Sequence, residues 1–251
     1  INSNMSQNYS LSHNPKTNQY FYNRTHHFLG KQVINLLANC YHVDPTRISL
    51  LTSGINSLSI MLECIMIENN FNKINIIYSN ELYCDTPRYI KYFDQVYGVS
   101  NISTFDVSKP NDLIENFNKE LKSGVNILIM ESCSNPNGFV FDFSVIPELR
   151  KLSKKLYVVV DNTWTTHVVF NPLEQGADIV FSSMSKHYSG GSCIGGFTIS
   201  PSAFAKNLNN LIRMRGIHIS IPYCQLFLKN IPKMEERIKM SFEKTMEMVN
   251  F

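Results

Sequence analysis

The sequence contains no apolar run long enough to cross a membrane, and it shows no secretory signal, internal repeat or low-complexity segment. None of its six cysteines forms a CxxC pair, and the adjacent His26 and His27 cannot both face one ion without strain, so a metal site has little support. The net charge is only +3 and the basic residues are scattered, which argues against a nucleic-acid surface. These absences predict a soluble, cytoplasmic protein with reduced cysteines and without membrane or nucleic-acid partners.

Apolar segments alternate with helical patterns along most of the chain. A length of 251 residues, 43% of them hydrophobic, allows one large or two small domains with a real core. The strands are near-continuous apolar runs, which predicts an α/β fold with a mostly parallel sheet covered by helices on both faces. The polar residues 1–20 are expected to form an extended arm. Strands are predicted at 74–78, 95–99, 125–131, 156–160, 178–183 and 194–200, and helices at 31–41, after Gly54, from 87, and at 111–124, 145–155 and 232–251.

Two stretches place reactive residues directly after predicted buried strands. Asp161 follows the apolar run 157–160, and Lys186 follows the run 179–181 within a group of serines and glycines. Since the carboxyl ends of parallel strands meet at one edge of a sheet, the two side chains are expected to lie close together. This combination suits pyridoxal phosphate (PLP), with Lys186 as the Schiff-base lysine and Asp161 as the partner of the pyridinium nitrogen. A surface lysine and a helix-capping aspartate are the ordinary alternatives.

Small residues near these two positions are candidate phosphate ligands. The hydroxyls of Ser183 and Ser185 can donate to phosphate oxygens. Gly54 and Ile55 open a predicted helix, where free backbone N–H groups point outward and favour an anion. An ordinary helix N-terminus is the alternative for the latter pair.

Two further residues are candidate contacts of the PLP ring. Tyr83 can lie flat on the ring, and Asn135 can hydrogen-bond the ring hydroxyl. A core or surface tyrosine and a turn-forming asparagine before Pro136 are the alternatives.

Six segments stand out in this order along the chain: QYFYNRT, LTSGINSLSIML, ELYCDT, ESCSNPNG, VVVDNTWTTHVVFNPLEQGADIVFSSMSKHYSGG and CIGGF. Together they resemble the Cys/Met-metabolism PLP-dependent family, which includes cystathionine γ-synthase, cystathionine γ- and β-lyases, methionine γ-lyase and O-acetylhomoserine sulfhydrylase. The resemblance covers about residues 19–200. It implies the large domain of fold-type-I PLP-dependent transferases, with Lys186, Tyr83 and Asp161 as catalytic residues and PLP as cofactor.

The resemblance also implies an assembly. Tyr22 and Arg24 are expected to reach the phosphate of a neighbouring subunit's cofactor, in a homotetramer built as a dimer of dimers with shared active sites. The expected domains are residues 1–45 as arm and first helix, 46–230 as the PLP-binding large domain, and 231–251 as the start of a helix leading to a C-terminal small domain that is absent here. That small domain would carry the arginine that binds the substrate carboxylate.

The function implied is an enzyme of sulfur amino-acid metabolism. It would act by β- or γ-elimination or γ-replacement on cystathionine, methionine or an O-acylhomoserine, with the Lys186 amine moving protons and Tyr83 helping to deprotonate the incoming amine. Two alternatives stay open: a PLP-binding relative without turnover, and an aminotransferase of the same fold.

Overall fold

The computed structural model describes residues 13–14, 19–20, 27–71, 73–109, 112–120 and 124–249. Two short strands, β1 (His13–Asn14) and β2 (Gln19–Tyr20), pair in antiparallel fashion. Tyr22 and Arg24 lie outside the described residues, and so does most of the predicted arm.

A seven-stranded sheet forms the centre of the molecule, in the order β3-β9-β8-β7-β6-β4-β5. The five strands from β5 to β8 are parallel neighbours, whereas β9 runs antiparallel to both β8 and β3. The expected mostly parallel sheet is confirmed. Its strands are β3 (Ile48–Leu51), β4 (Ile74–Ser79), β5 (Asn101–Phe105), β6 (Val125–Glu131), β7 (Leu156–Asp161), β8 (Ile179–Ser183) and β9 (Gly196–Ile199).

Helices cover both faces of this sheet because its central strands are apolar on both sides. In β6, Ile127 and Ile129 belong to one hydrophobic core, and Leu128 and Met130 belong to the other. No helix of the described segments is long and apolar enough to span a bilayer. The described helices are α1 (Phe28–Tyr41), α2 (Gly54–Glu68), α3 (Asp85–Tyr97), α4 (Leu113–Glu120), α5 (Ile146–Leu152), α6 (Thr166–Val169), α7 (Ala205–Arg215), α8 (Ile221–Asn230) and α9 (Met234–Val249).

The prediction of a strand at 95–99 is wrong. Residues 95–97 continue α3, where the rings of Phe93 and Tyr97 pack 4.7 Å apart, and the helix ends at Gly98 in the left-handed conformation. The strand of this region is β5, which begins at Asn101. An edge strand exposes part of its surface, so β5 lacks the continuous apolar run by which the central strands were found.

Candidate active site

Three polar side chains end neighbouring parallel strands and face the same side of the sheet. Glu131 closes β6, Asp161 closes β7 and Ser183 closes β8, and Glu131 and Asp161 are register partners. Since side chains alternate along a strand, each of the three lies on the face of the residue two positions earlier. Those earlier residues belong to the core that also contains the side chains of α2: Ile129, Val159 and Phe181.

Asp161 is oriented by Thr163. The backbone N–H and the hydroxyl of Thr163 both donate to Oδ1 of Asp161, at 2.9 and 2.5 Å. The same Thr163 hydroxyl accepts the backbone N–H of Ser183 at 2.8 Å, which ties the end of β7 to the end of β8. Within the described ranges, Oδ2 of Asp161 has no hydrogen-bond donor. One carboxylate oxygen therefore holds the turn and the other is available to a ligand.

Glu131 is a buried carboxyl that the sequence reasoning did not select. Its Oε1 accepts the backbone N–H of Tyr83 at 2.5 Å, so it fixes the segment that follows β4. Burial raises the pKa of Glu131, and the nearby charge of Asp161 raises it further. Burial also raises the pKa of Asp161, but the hydrogen bonds from Thr163 act the other way. Glu131 is therefore the carboxyl of this pair that keeps its proton to the higher pH.

Tyr83 lies at the entrance of this edge, with 45% of its surface exposed. Its hydroxyl donates to Oδ2 of Asp85 at 3.2 Å. This hydrogen bond is the main reason why the pKa of Tyr83 is raised, followed by the charge of Asp85. The hydroxyl is thus held as a neutral donor, and the ring rather than the oxygen is the part of Tyr83 that is suited to a ligand.

The N-terminus of α2 meets the end of β8. Ser53 caps the helix by accepting the backbone N–H of Asn56 at 3.2 Å, whereas the N–H groups of Gly54 and Ile55 have no acceptor in the helix. A Cβ on Gly54 would lie 2.8 Å from Cβ of Ser183, so glycine is required for this close approach. The helix N-terminus with its two N–H groups therefore lies directly beside Ser183, a combination of donors that suits an anion.

Lys186 lies in the turn-rich segment 184–193 between β8 and β9. It is exposed, and its amine makes no hydrogen bond to the part of the chain that the structure describes. Gly190 and Gly191 have φ angles of 61° and 79°, which allow the segment to fold back on itself. One contact comes from outside this segment: Nη2 of Arg237 in α9 donates to the carbonyl oxygen of His187 at 2.6 Å.

Ser185 has its hydroxyl occupied inside the same segment. The hydroxyl accepts the backbone N–H of Gly195 at 3.2 Å and lies 3.5 Å from the Gly195 carbonyl oxygen. Ser183 differs, since its hydroxyl only accepts a long bond of 3.4 Å from the backbone of Ser185 and keeps its proton to donate. Of the two predicted phosphate contacts, Ser183 is the one with a free donor.

Asn135 lies in a tight turn after β6, and its side chain has no hydrogen bond to the described segments. The turn itself is anchored by Glu81, whose carboxylate accepts bonds from the Ser134 hydroxyl at 2.6 Å and the Asn137 amide at 2.5 Å. Asn135 is therefore held on the same edge of the sheet with its amide available.

The sequence reasoning missed Glu131 and Thr163, although signals for both were present. Glu131 is the last residue of the apolar run 125–131, in the same position relative to its strand as Asp161. Thr163 stands two residues after an aspartate, a spacing typical of side-chain-to-backbone turns.

Comparison with known proteins identifies the family. The sequence model of the family described as "Cys/Met metabolism PLP-dependent enzyme" matches residues 2–251 of the chain. The chain belongs to this family of PLP-dependent enzymes. It is 26% identical to cystathionine beta-lyase of Schizosaccharomyces pombe over 205 residues, which cover 80% of this chain and 50% of that protein. It is also 30% identical to L-methionine gamma-lyase of Treponema denticola over 132 residues, which cover 52% of this chain and 32% of that protein.

Solved structures share the fold. The cystathionine gamma synthase of Xanthomonas oryzae pv. oryzae, in complex with cystathionine, superposes with a TM-score of 0.72 at 20% identity, covering 87% of this chain and 54% of that one. The fold is therefore that of the large domain of fold-type-I PLP enzymes. The chain spans about half the length of these relatives.

The residues at the carboxyl edge fit PLP. Free N–H groups on α2 and the Ser183 hydroxyl suit the phosphate, the free Oδ2 of Asp161 suits a ring N–H, and the exposed Lys186 amine suits an aldehyde. In the described segments, no group of three or more His, Cys, Asp or Glu side chains is arranged to hold a metal ion.

Proposed function

We propose that this chain binds PLP at the carboxyl edge of its sheet and that the whole protein acts on a sulfur-containing amino acid. The observation that carries the proposal is the arrangement of Asp161 and Ser183 on one face of adjacent strands, with the N-terminus of α2 packed against Ser183. Membership of a PLP-dependent family supports it independently.

Each residue has a role that its surroundings suit. Lys186 is the attachment point for the cofactor's aldehyde, and its amine, when free, carries protons between substrate carbons. Asp161 keeps the ring nitrogen protonated through Oδ2, while Thr163 holds Oδ1. Tyr83 stacks on the ring. Gly54, Ile55 and Ser183 bind the phosphate, with Ser185 shaping the segment behind them.

Three further residues complete the proposed site. Asn135 bonds the ring hydroxyl, and Arg24 and Tyr22 of a neighbouring subunit reach the phosphate, in a homotetramer that shares its sites. When bound, PLP supplies an electron sink for carbanion chemistry beside a carbon–sulfur bond. The reaction is an elimination or replacement at Cβ or Cγ of cystathionine, methionine or an O-acylhomoserine, in the cytoplasm.

Cofactor binding is tested by adding PLP to the purified chain. We expect a visible absorption band of lysine-bound PLP, and borohydride reduction should attach the cofactor's mass to the peptide that contains Lys186. Lys186→Ala should abolish both signals, because no other amine lies in the segment after β8. Lys151→Ala, an exposed lysine of α5, is the matched control and should retain both. A wild-type chain that does not take up PLP would overturn the proposal.

Turnover is tested on the full-length protein with PLP and, separately, cystathionine, methionine or O-acetylhomoserine. Release of a thiol, or of acetate from O-acetylhomoserine, together with ammonia and an α-keto acid indicates elimination. With cysteine added as the thiol nucleophile, a new thioether formed as the original leaving group departs indicates replacement. Uptake of PLP without product from any of these substrates would favour a binding protein without turnover.

A further inference from the structure

Three polar side chains form a fully buried cluster behind the carboxyl edge. Tyr41, Asn162 and Tyr188 are 1%, 0% and 0% exposed. The two tyrosine hydroxyls lie 2.9 Å apart, and the Asn162 amide donates to the Tyr41 hydroxyl at 3.1 Å. Because Asn162 follows Asp161, it faces the opposite side of the sheet from the proposed site. We call these three residues the Tyr–Asn bridge.

The Tyr–Asn bridge connects the two segments that carry the proposed PLP contacts. Asn162 directly follows Asp161, and Tyr188 stands two residues after Lys186. Tyr41 is the last residue of α1, so the helix serves as the common anchor. The bridge therefore joins the end of β7 to the segment after β8 by a route that does not pass through the sheet.

At the Asn162 end of the bridge, both amide hydrogens and the amide oxygen are hydrogen-bonded, which fixes the orientation of the side chain. Its second amide hydrogen donates to the carbonyl oxygen of Phe170 at 2.9 Å, and its own oxygen accepts the Thr165 hydroxyl at 2.5 Å. The Thr165 hydroxyl also lies 2.7 Å from that of Ser132, directly after Glu131. The ends of β6 and β7 are thus held in one network.

The Tyr188 end is held by packing. Its ring meets Phe197 edge-on at 5.2 Å, and Phe197 also packs against Tyr41 at 5.7 Å. Lys186, in contrast, is exposed and its amine is not bonded to the described chain. The place of Lys186 relative to Asp161 consequently depends on the backbone that Tyr188 anchors.

The bridge acts through geometry rather than charge. Burial raises the pKa of Tyr41 to about 12 and raises that of Tyr188 well above its ordinary value. Both phenols therefore stay neutral at the pH at which the site would work. The contact between the two buried hydroxyls also favours this one arrangement of the side chains, since removing either hydroxyl leaves the other short of a hydrogen bond.

We propose that Tyr188 is a positioning residue of Lys186: its hydroxyl, through Tyr41 and Asn162, holds the segment with the lysine in register with Asp161. The proposal rests on the function proposed above, because it concerns the PLP-binding site.

The test uses Tyr188→Phe in the full chain, with PLP added. We expect the variant to fold and to take up PLP, but the rate at which the band of lysine-bound PLP forms should fall about threefold to tenfold, because small displacements of reacting groups are costly. The midpoint pH of the titration of this absorption band should also shift. A purely structural loss would lower the melting temperature and leave both of these quantities unchanged. Tyr157→Phe is the matched control, because its hydroxyl accepts a long hydrogen bond of 3.4 Å from the Asn69 amide near the start of β7, away from the bridge.

Tyr41→Phe breaks the same hydroxyl contact from the other side and should change the rate and the midpoint pH in the same direction. Tyr41→Phe also removes the acceptor of the Asn162 amide, so the double variant should differ little from Tyr41→Phe alone, since the contact between the two hydroxyls is already lost there. Wild-type values for Tyr188→Phe, or an unchanged rate in Tyr41→Phe, would overturn the proposal. Failure of the wild-type chain to bind PLP would instead overturn the function on which it rests.

Discussion

At the residue scale, the candidate site contains two carboxyls in different surroundings, Glu131 and Asp161. Asp161 receives two hydrogen bonds from Thr163, which favour its ionised form. Glu131 receives one from the backbone of Tyr83 and is 5% exposed, so its charge is poorly compensated. Burial raises the pKa of both acids, but the bonds from Thr163 offset part of this rise for Asp161, so Asp161 can pair with a cation while Glu131 stays neutral.

The raised pKa of Glu131 predicts how stability depends on pH in the PLP-free chain. Below pH 4.5, the ordinary pKa of a glutamate, Glu131 is protonated in both the folded and the unfolded chain. Its protonation then takes nothing from the free energy of unfolding. As the pH rises, the unfolded chain loses this proton first, and the folded state is progressively destabilised. Glu131→Gln cannot titrate, so it should match the wild type near pH 4 and exceed its unfolding free energy by about 1–3 kcal/mol at pH 9.

Urea denaturation at several pH values checks this prediction. The control is Glu148→Gln, which removes an exposed carboxylate paired with Lys151 on α5 and should change stability little at any pH. A gain in Glu131→Gln that does not grow with pH would contradict the assignment of the proton to Glu131.

At the element scale, the site depends on how closely β9 approaches the start of α2. A Cβ on Gly196 would overlap the carbonyl oxygen of Ser53 and come within 2.6 Å of the Ser57 hydroxyl. A backbone oxygen cannot move aside as a flexible side chain can. The glycine of β9 therefore sets the position of the helix whose N-terminus is proposed to bind phosphate.

Gly196→Ala should accordingly lower the unfolding free energy by about 1–3 kcal/mol through overpacking. It should also weaken PLP binding, because α2 must shift away from Ser183. Gly30→Ala in α1 is the control: the added Cβ lies 3.9 Å from its nearest neighbour, so this change should be neutral or stabilise the helix by up to about 1 kcal/mol. Urea titration and the PLP dissociation constant measure the two effects, and equal behaviour of both variants would refute the close-packing argument.

At the scale of the whole molecule, the residues proposed to contact the ring, the aldehyde and one side of the phosphate all lie within the described chain. The family resemblance assigns a further phosphate contact to Arg24 of a neighbouring subunit, a residue outside the described ranges. Arginine binds phosphate through two parallel hydrogen bonds, so a single such contact changes affinity measurably.

If subunits share sites, PLP affinity should increase with protein concentration across the range in which oligomers form. Arg24→Ala should weaken binding about tenfold or more in the oligomer and remove this dependence. Sedimentation and PLP titration on the same samples provide the measurement, with Lys151→Ala as the charge-matched control. Equal PLP affinity of Arg24→Ala and wild type would rule out a shared site.

Local patterns were sufficient to predict much of the fold and candidate site. The buried strands β6, β7 and β8 were found because strands covered on both faces are continuously apolar, and the residues after them followed from the parallel arrangement. Edge strand β5 was misplaced because partial exposure removes that pattern. The occupied hydroxyl of Ser185 was likewise unpredictable, since its partner Gly195 is brought back by the turn 184–193.

The sequence by itself determined the α/β class, the mostly parallel sheet and the family resemblance from which a shared site for Lys186 and Asp161 is predicted. These follow from short-range patterns, since strand burial and strand ends are visible within a few residues. Only the tertiary structure decided the contacts between residues far apart in the sequence: Tyr83 with Glu131, Ser183 with Thr163, and the Tyr–Asn bridge. Tyr41 and Tyr188 are 147 positions apart, and no local pattern brings two such side chains to 2.9 Å.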